Sequence, residues 1–195
     1  MQIKVVHGDA VTPHIADLAR LRIEVFRAFP YLYEGSEEYE TSYLATYARS
    51  PESLFVLALD GERIVGASTG VPMTDADDAF KTPFTAAGIA PEKVFYFGES
   101  VLLPTYRGRG LGVRFFEERE AYARRLGRFD WCAFCAVERP RDHPLRPADY
   151  VPLDAFWTKR GYVPRADLRT MLSWQDIGEV EETEKPMSFW LKPAH

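Results

Sequence analysis

The sequence predicts a single α/β (α+β) domain, residues 1–195, built on a mixed, mostly antiparallel sheet with helices on both faces. Three observations lead there. The length of 195 residues suits one domain and leaves little room for two. Short apolar runs of strand character alternate with longer runs of helical period. The dipeptide Asp60-Gly61, the strongest short hairpin signal, joins two of the strands and makes them antiparallel.

In chain order, residues 2–6 read as a first strand. Thr12-Pro13 reads as a cap followed by a first-turn proline. After it Ile15, Leu18, Val25 and Phe29 mark a helical stripe. Residues 29–35 form an aromatic loop, and 37–48 a second helix with Tyr39, Tyr43, Leu44 and Tyr47 on its apolar side. Strands at 54–59 and 63–71 flank the hairpin turn, and a short helix at 76–88 follows. A strand at 94–103 runs into Pro104-Thr105-Tyr106 and a glycine-rich turn. Residues 110–126 then read as a helix with Leu111, Phe115, Tyr122 and Leu126 on one face and Gly127 as its stop. A strand at 130–137, a proline- and charge-rich loop at 138–150 and a helix at 152–160 ended by Gly161 come next. Strands near 167–174 and 187–192 close the chain. The acidic run Glu179 to Glu184 between them reads as a solvated connection.

Composition narrows the function. Hydrophobic residues make up 46% and charged residues 27%, an ordinary globular profile able to bury a substantial core. The net charge of -5 argues against a nucleic-acid partner, which requires a basic stripe. No apolar stretch is long enough to span a membrane, so no membrane partner is expected. The apolar run at Met1–Gly8 is too short for a signal peptide, which makes the cytoplasm the expected location. Cys132 and Cys135 stand in C-x-x-C spacing without a second Cys/His pair, so no metal is expected. Residues three apart on a strand point to opposite faces, so both thiols read as core rather than a redox pair.

The chemistry-bearing segment is strand, short turn, Arg107-Gly108-Arg109-Gly110-Leu111-Gly112, helix. Glycines let a backbone approach a ligand closely, and the free N–H groups opening a helix favour an anion. Arg107, Arg109 and Arg114 add positive charge. On the glycines alone, a plain turn with surface arginines is the better reading. A Walker A loop fails, because Gly112 is followed by Val113 and Arg114 instead of Lys-Ser/Thr. A dinucleotide fingerprint matches poorly at Gly108-x-Gly110-x-x-Val113, although Glu138 stands near the right place. The pattern Arg107-x-x-Gly110-x-Gly112, preceded by Val101-Leu102-Leu103-Pro104, closely resembles the acetyl-CoA motif of the GNAT superfamily. The later Ala155-Phe156-Trp157-Thr158-Lys159-Arg160-Gly161-Tyr162 resembles that family's second element in order and spacing.

The resemblance implies a GNAT-like sheet and an N-acetyltransferase with acetyl-CoA as co-substrate. Val101, Leu102 and Leu103 would pair with the pantetheine arm. The amides of Arg109, Gly110, Leu111 and Gly112, with Val113 and Arg114, would cradle the pyrophosphate, and Arg107 opens the motif. A backbone N–H near Val101 would polarise the thioester carbonyl. Glu99, mid-strand among aromatic residues, is the candidate base for the attacking amine, and its alternative is a carboxylate paired with an arginine. The family's usual acid tyrosine is replaced here by Trp157, which leaves Tyr150, His143 or water to protonate the thiolate. For Tyr150 a packing role is the alternative.

The acceptor is expected opposite the CoA. Tyr31, Tyr33, Tyr39 and Tyr43 would stand on one side, with Glu138, Arg139, Arg141, Asp142, His143, Arg146 and Asp149 on the other. Aromatics with mixed charges suit a small polar amine, including one that bears a carboxylate. Two rivals remain: a non-catalytic acyl-CoA-binding module, and a nicotinamide-dependent oxidoreductase. A homodimer is compatible with the sequence, which does not define the oligomeric state.

Overall fold

The computed structural model describes Met1–His195. Its sheet grows from the hairpin. Strands β2 (Leu54–Asp60) and β3 (Arg63–Pro72) pair antiparallel across a turn in which Gly61 takes φ +61°, the left-handed value that such a turn requires. β1 (Gln2–His7) adds to the free side of β2. On the other side the order continues β3, β4 (Val94–Tyr96), β6 (Trp131–Val137), β8 (Thr183–Pro193) and β7 (Val163–Trp174). β5 (Ser100–Leu102) also pairs with β3. Only β4 and β6 run parallel, and every other ladder is antiparallel.

β3 is buried from Ile64 to Pro72, which requires cover on both of its faces. Helices α1 (Ile15–Phe26) and α4 (Leu111–Leu126) both pack on β3 and β5. α2 (Glu37–Ala48) packs against α1, and α3 (Asp78–Ala86) against β7. α5 (Asp154–Thr158) is a single short turn. α4 is amphipathic: Leu111, Phe115, Tyr122 and Ala123 face inward, and Gly127 closes the helix at φ +69°. One cluster of buried apolar side chains extends from Val6 to Ala194, so the core is continuous.

Several elements differ from the sequence reading, each for a local reason. The strand expected at 94–103 is two strands, because the chain breaks at Phe97–Glu99 between β4 and β5. Thr12-Pro13 lies inside a 3-10 turn, Gly8–His14, where the Thr12 hydroxyl donates to Asp9 O instead of capping α1. α1 ends at Phe26, so Phe29 belongs to the aromatic loop. The helix expected at 152–160 keeps only its centre, Asp154–Thr158. β7 and β8 reach further than their apolar runs, because their outer halves pair with each other and need little burial. Thr183 and Glu184 of the acidic run therefore belong to β8.

The aromatic loop is held by a buried ionic cluster. The Arg139 guanidinium donates to Pro30 O at 2.7 Å and Tyr31 O at 2.8 Å, and pairs with Asp176 at 2.7 Å. Lys185 supports Asp176 from behind at 3.4 Å, and the Trp174 indole also donates to Tyr31 O. Loop carbonyls that would otherwise be buried unpaired are thus satisfied. Replacing Arg139→Met is expected to lower stability by about 3 kcal/mol, measured by urea unfolding, because it leaves the Pro30 carbonyl unpaired and part of the Asp176 charge uncompensated.

Candidate active site

After β5 the chain makes one 3-10 turn at Pro104–Tyr106 and enters α4 through Arg107–Gly110. Gly108 and Gly110 take φ +74° and +81°, where an L side chain is strained, and a Cβ at either would meet nothing within 4 Å. The backbone angles therefore call for glycine, while the space above the turn stays open. α4 starts without a side-chain cap, and the N–H groups of Leu111, Gly112 and Val113 have no protein acceptor. Three free donors and the positive end of a long helix make an anion cradle. Arg107 donates to Leu102 O at 3.3 Å and Arg109 to Thr105 O at 3.0 Å, while Arg114 pairs with Glu118 at 2.5 Å. All three arginines are exposed beside the cradle, and these contacts hold the turn in shape.

A gap in the sheet leads away from this cradle. β4 and β6 pair as far as Tyr96 and Ala133, with one further bond from Phe97 N to Ala133 O. Beyond that point β5 pairs only with β3, and the rest of β6 only with β8. Leu103 N bonds Val65 O and Thr69 N bonds Glu99 O, so in this antiparallel register Val101 also bonds toward β3. The peptide groups turned into the gap are consequently those of Ser100 and Leu102, not those of Val101 and Leu103. On β6, Asp130 and Glu138 bond to the β8 side, which turns the groups of Cys135 and Val137 into the gap. Two edges without a backbone partner thus face each other across a slot that an extended arm could fill, with Arg107 on Leu102 O at its outer end.

Glu99 stands at the inner end of this slot, 8% exposed. Its Oε2 pairs with Arg22 at 2.7 Å and lies 3.5 Å from the Tyr43 hydroxyl, which itself donates to Tyr47 at 2.9 Å. Arg22 also pairs with Glu40, which is fully buried, and stacks over the Tyr43 ring at 4.4 Å. Burial works against the Arg22 charge, but Glu99, Tyr43 and Glu40 outweigh it and hold the guanidinium charged. Burial, then neighbouring acidic groups, push the phenols of Tyr31, Tyr33, Tyr43, Tyr47 and Tyr96 well above their ordinary range, so all of them are neutral. The Cys135 thiol lies 3.2 Å from the Tyr96 hydroxyl and is pushed up to about 12 by burial, which makes it a poor nucleophile. Cys132 is likewise buried and pushed up to about 12, and both cysteines are free thiols.

Tyr150 and His143 pack around Phe29 of the aromatic loop. The Tyr150 ring meets Phe29 edge-on at 4.6 Å, and the Arg146 guanidinium covers it at 4.8 Å. Burial raises its pKa while Arg146 pulls the other way. His143 lies 5.7 Å from Phe29, and its Nδ1 accepts from Leu145 N. Trp157 is packed between Phe134 and Trp190, each ring 5.1 Å away. Tyr31 and Tyr43 belong to the inner cluster, whereas Tyr39 is exposed and Glu138 pairs with Arg169 outside. Arg139 serves the aromatic loop, as described above. The sequence reading missed Arg22, Glu40 and Arg119. Each left a signal, a charge at an apolar position of its helix: Arg22 four residues after Leu18, Glu40 four before Leu44, Arg119 four after Phe115.

Comparison with known proteins bears on the family and the fold. The model of a family described as the acetyltransferase (GNAT) family matches residues 18–145. Ribosomal-protein-alanine N-acetyltransferase from Brucella melitensis superposes with a TM-score of 0.60 at 13% identity, over 97% of this chain and 99% of that one. An N-acetyltransferase from Staphylococcus aureus Mu50 superposes with a TM-score of 0.60 at 8% identity, over the full length of both chains. YncA from Salmonella typhimurium, solved with its cofactor acetyl-CoA, gives 0.59 at 10% identity over 99% of this chain and 94% of that one. At such identities the likeness concerns the fold. No sequence match to a curated protein is found. The family match over residues 18–145, which takes in the uncapped helix, the slot and Glu99, shows that this chain belongs to the acetyltransferase (GNAT) family.

Proposed function

We propose that this protein is an N-acetyltransferase that moves an acetyl group from acetyl-CoA to the amine of a small acceptor by direct attack. The observation that carries this reading is the continuous path from the uncapped start of α4, along the two free strand edges, to the Glu99 carboxylate. Acetyl-CoA supplies the activated thioester carbon. The amides of Leu111, Gly112 and Val113 bind its pyrophosphate, with Arg107, Arg109 and Arg114 adding charge at the rim. The peptide edges of Ser100 and Leu102 on one side, and Cys135 and Val137 on the other, hold the extended arm as strands hold a partner. Acetyl-CoA bound to a protein of the same fold is in keeping with this placement.

An alkyl ammonium has a pKa of about 10, so it must lose a proton before it attacks. Glu99 is the base in this reading, directly or through one water. It shares Arg22 with Glu40. The buried phenols around it supply neutral walls. Tyr150 is the proposed donor to the departing thiolate. It is half-buried; burial raises its pKa, and the neighbouring Arg146 guanidinium opposes that rise. A donor works best with a pKa close to the working pH, which disfavours Tyr31 and Tyr96 for the same task.

Acetyl-CoA at one hundred times its Kd is expected to stabilise the fold by about 2.7 kcal/mol, read as a raised Tm, and NAD to leave it unchanged. An unchanged Tm with saturating acetyl-CoA would overturn the reading. Gly110→Ala should weaken acetyl-CoA binding about tenfold by calorimetry, because the left-handed angle costs roughly 1–2 kcal/mol in any other residue. In an amine screen, Glu99→Gln should lower kcat/KM at neutral pH by about two to four orders of magnitude. A rate equal to that of the wild type would remove Glu99 as base. Tyr150→Phe should lower kcat by about two orders of magnitude without raising KM for acetyl-CoA.

A further inference from the structure

A buried cation stands behind the slot. Arg119, in the third turn of α4, is 1% exposed and has no carboxylate partner. Its Nε donates to Phe115 O at 3.1 Å, which fixes the guanidinium against its own helix. Nη1 donates to Thr69 O at 3.3 Å and Glu99 O at 3.2 Å, and Nη2 donates to Ser100 Oγ at 2.8 Å. The rings of Phe97 and Phe116 lie against it, with centroids 4.2 and 4.8 Å away. Burial pulls its pKa down to about 10, still above neutral pH, so the charge remains. A well-packed apolar side chain would avoid this desolvation, and packing alone does not call for an arginine.

Its position has a directional consequence. In a trans peptide the C=O and the following N–H point opposite ways. Glu99 O is held by Arg119 and by Thr69 N at 3.0 Å, so the Ser100 N–H must point the other way, into the slot. A cation on the carbonyl of a peptide also strengthens the N–H of that peptide as a donor. We propose that Arg119 is a positioning residue that aims and polarises the Ser100 amide, and that this amide is the donor to the thioester oxygen during acetyl transfer. The proposal rests on the acetyl-CoA reading above. It places the oxyanion donor one residue before Val101, and it ties the pyrophosphate helix to the reacting carbonyl through one side chain.

The test reads the carbonyl directly and needs no acceptor. Infrared difference spectra of acetyl-CoA with an isotope-labelled acetyl carbonyl are recorded free and bound to the wild type, Arg119→Lys and Arg119→Gln. In the wild type the bound carbonyl stretch should fall to lower frequency than in water. In Arg119→Gln the shift should largely disappear while the Kd for acetyl-CoA stays within about threefold, and Arg119→Lys should recover part of it. With an accepted amine, kcat of Arg119→Gln should fall about tenfold or more at nearly constant KM for acetyl-CoA, since removing an oxyanion donor outright costs about two to three orders of magnitude. Bound acetyl-CoA with no frequency shift in the wild type overturns the proposal even if the variants fail to fold. An equal shift in Arg119→Gln also overturns it. Failure of the wild type to bind acetyl-CoA at all would instead remove the proposed function on which it stands.

Discussion

The parting of β5 from β6 is the constraint to which the rest of the molecule answers. A sheet is stable because each strand satisfies its neighbour's peptide groups, and an opening in the middle of one leaves donors and acceptors without partners. Here the opening begins at Phe97–Glu99, and three devices keep it from closing or unravelling. β5 stays fully paired to β3 on its far side, β6 stays paired to β8 on its own, and Arg119 takes the carbonyls of Thr69 and Glu99 at the point of divergence. Because Arg119 grows from α4, the helix that opens on the anion cradle is tied to the same point.

Electrostatics divides the interior into two parts. Around Glu99, Arg22 joins the Glu99 and Glu40 carboxylates, Arg119 donates to the Glu99 carbonyl, and the surrounding phenols are neutral. Around Arg139 the charges balance, with Arg139 and Lys185 against Asp176 and Glu179. The first arrangement ties α1 and α2 to the break between β4 and β5. The second closes on itself and serves to seat Pro30 and Tyr31 beside the slot. Two clusters made of similar residue types thus have different consequences, because one lies at the strand break and the other behind the aromatic loop.

Much of this was legible in the sequence. Apolar stripes mark α1, α2 and α4 and short apolar runs mark the strands, since burial imposes periods of 3.6 and 2 whatever the neighbours are, whereas the 3-10 turn at Gly8–His14 carries no such signal. The Arg107–Gly112 turn announced itself because left-handed backbone and an uncapped helix need glycines at particular places. Glu99 stood out as a charge in an apolar strand. Arg22, Glu40 and Arg119 are equally out of place on apolar helix faces, but an isolated charge in an apolar stripe does not by itself say which distant group it meets.

What the sequence by itself determined is therefore the set of local elements, the glycine turn at the head of α4 and the unusual carboxylate before it. Each depends on a few consecutive residues and their backbone angles. Only the tertiary structure decided that the strand through residues 94–103 breaks, that Ser100 and Leu102 rather than Val101 and Leu103 face the slot, and that Arg22 and Glu40 meet Glu99. These depend on which peptide groups find partners across the sheet and on charges brought together from α1, α2 and the strand break. Such pairings arise between segments far apart in the chain, where the spacing of residues along the sequence carries no information about distance.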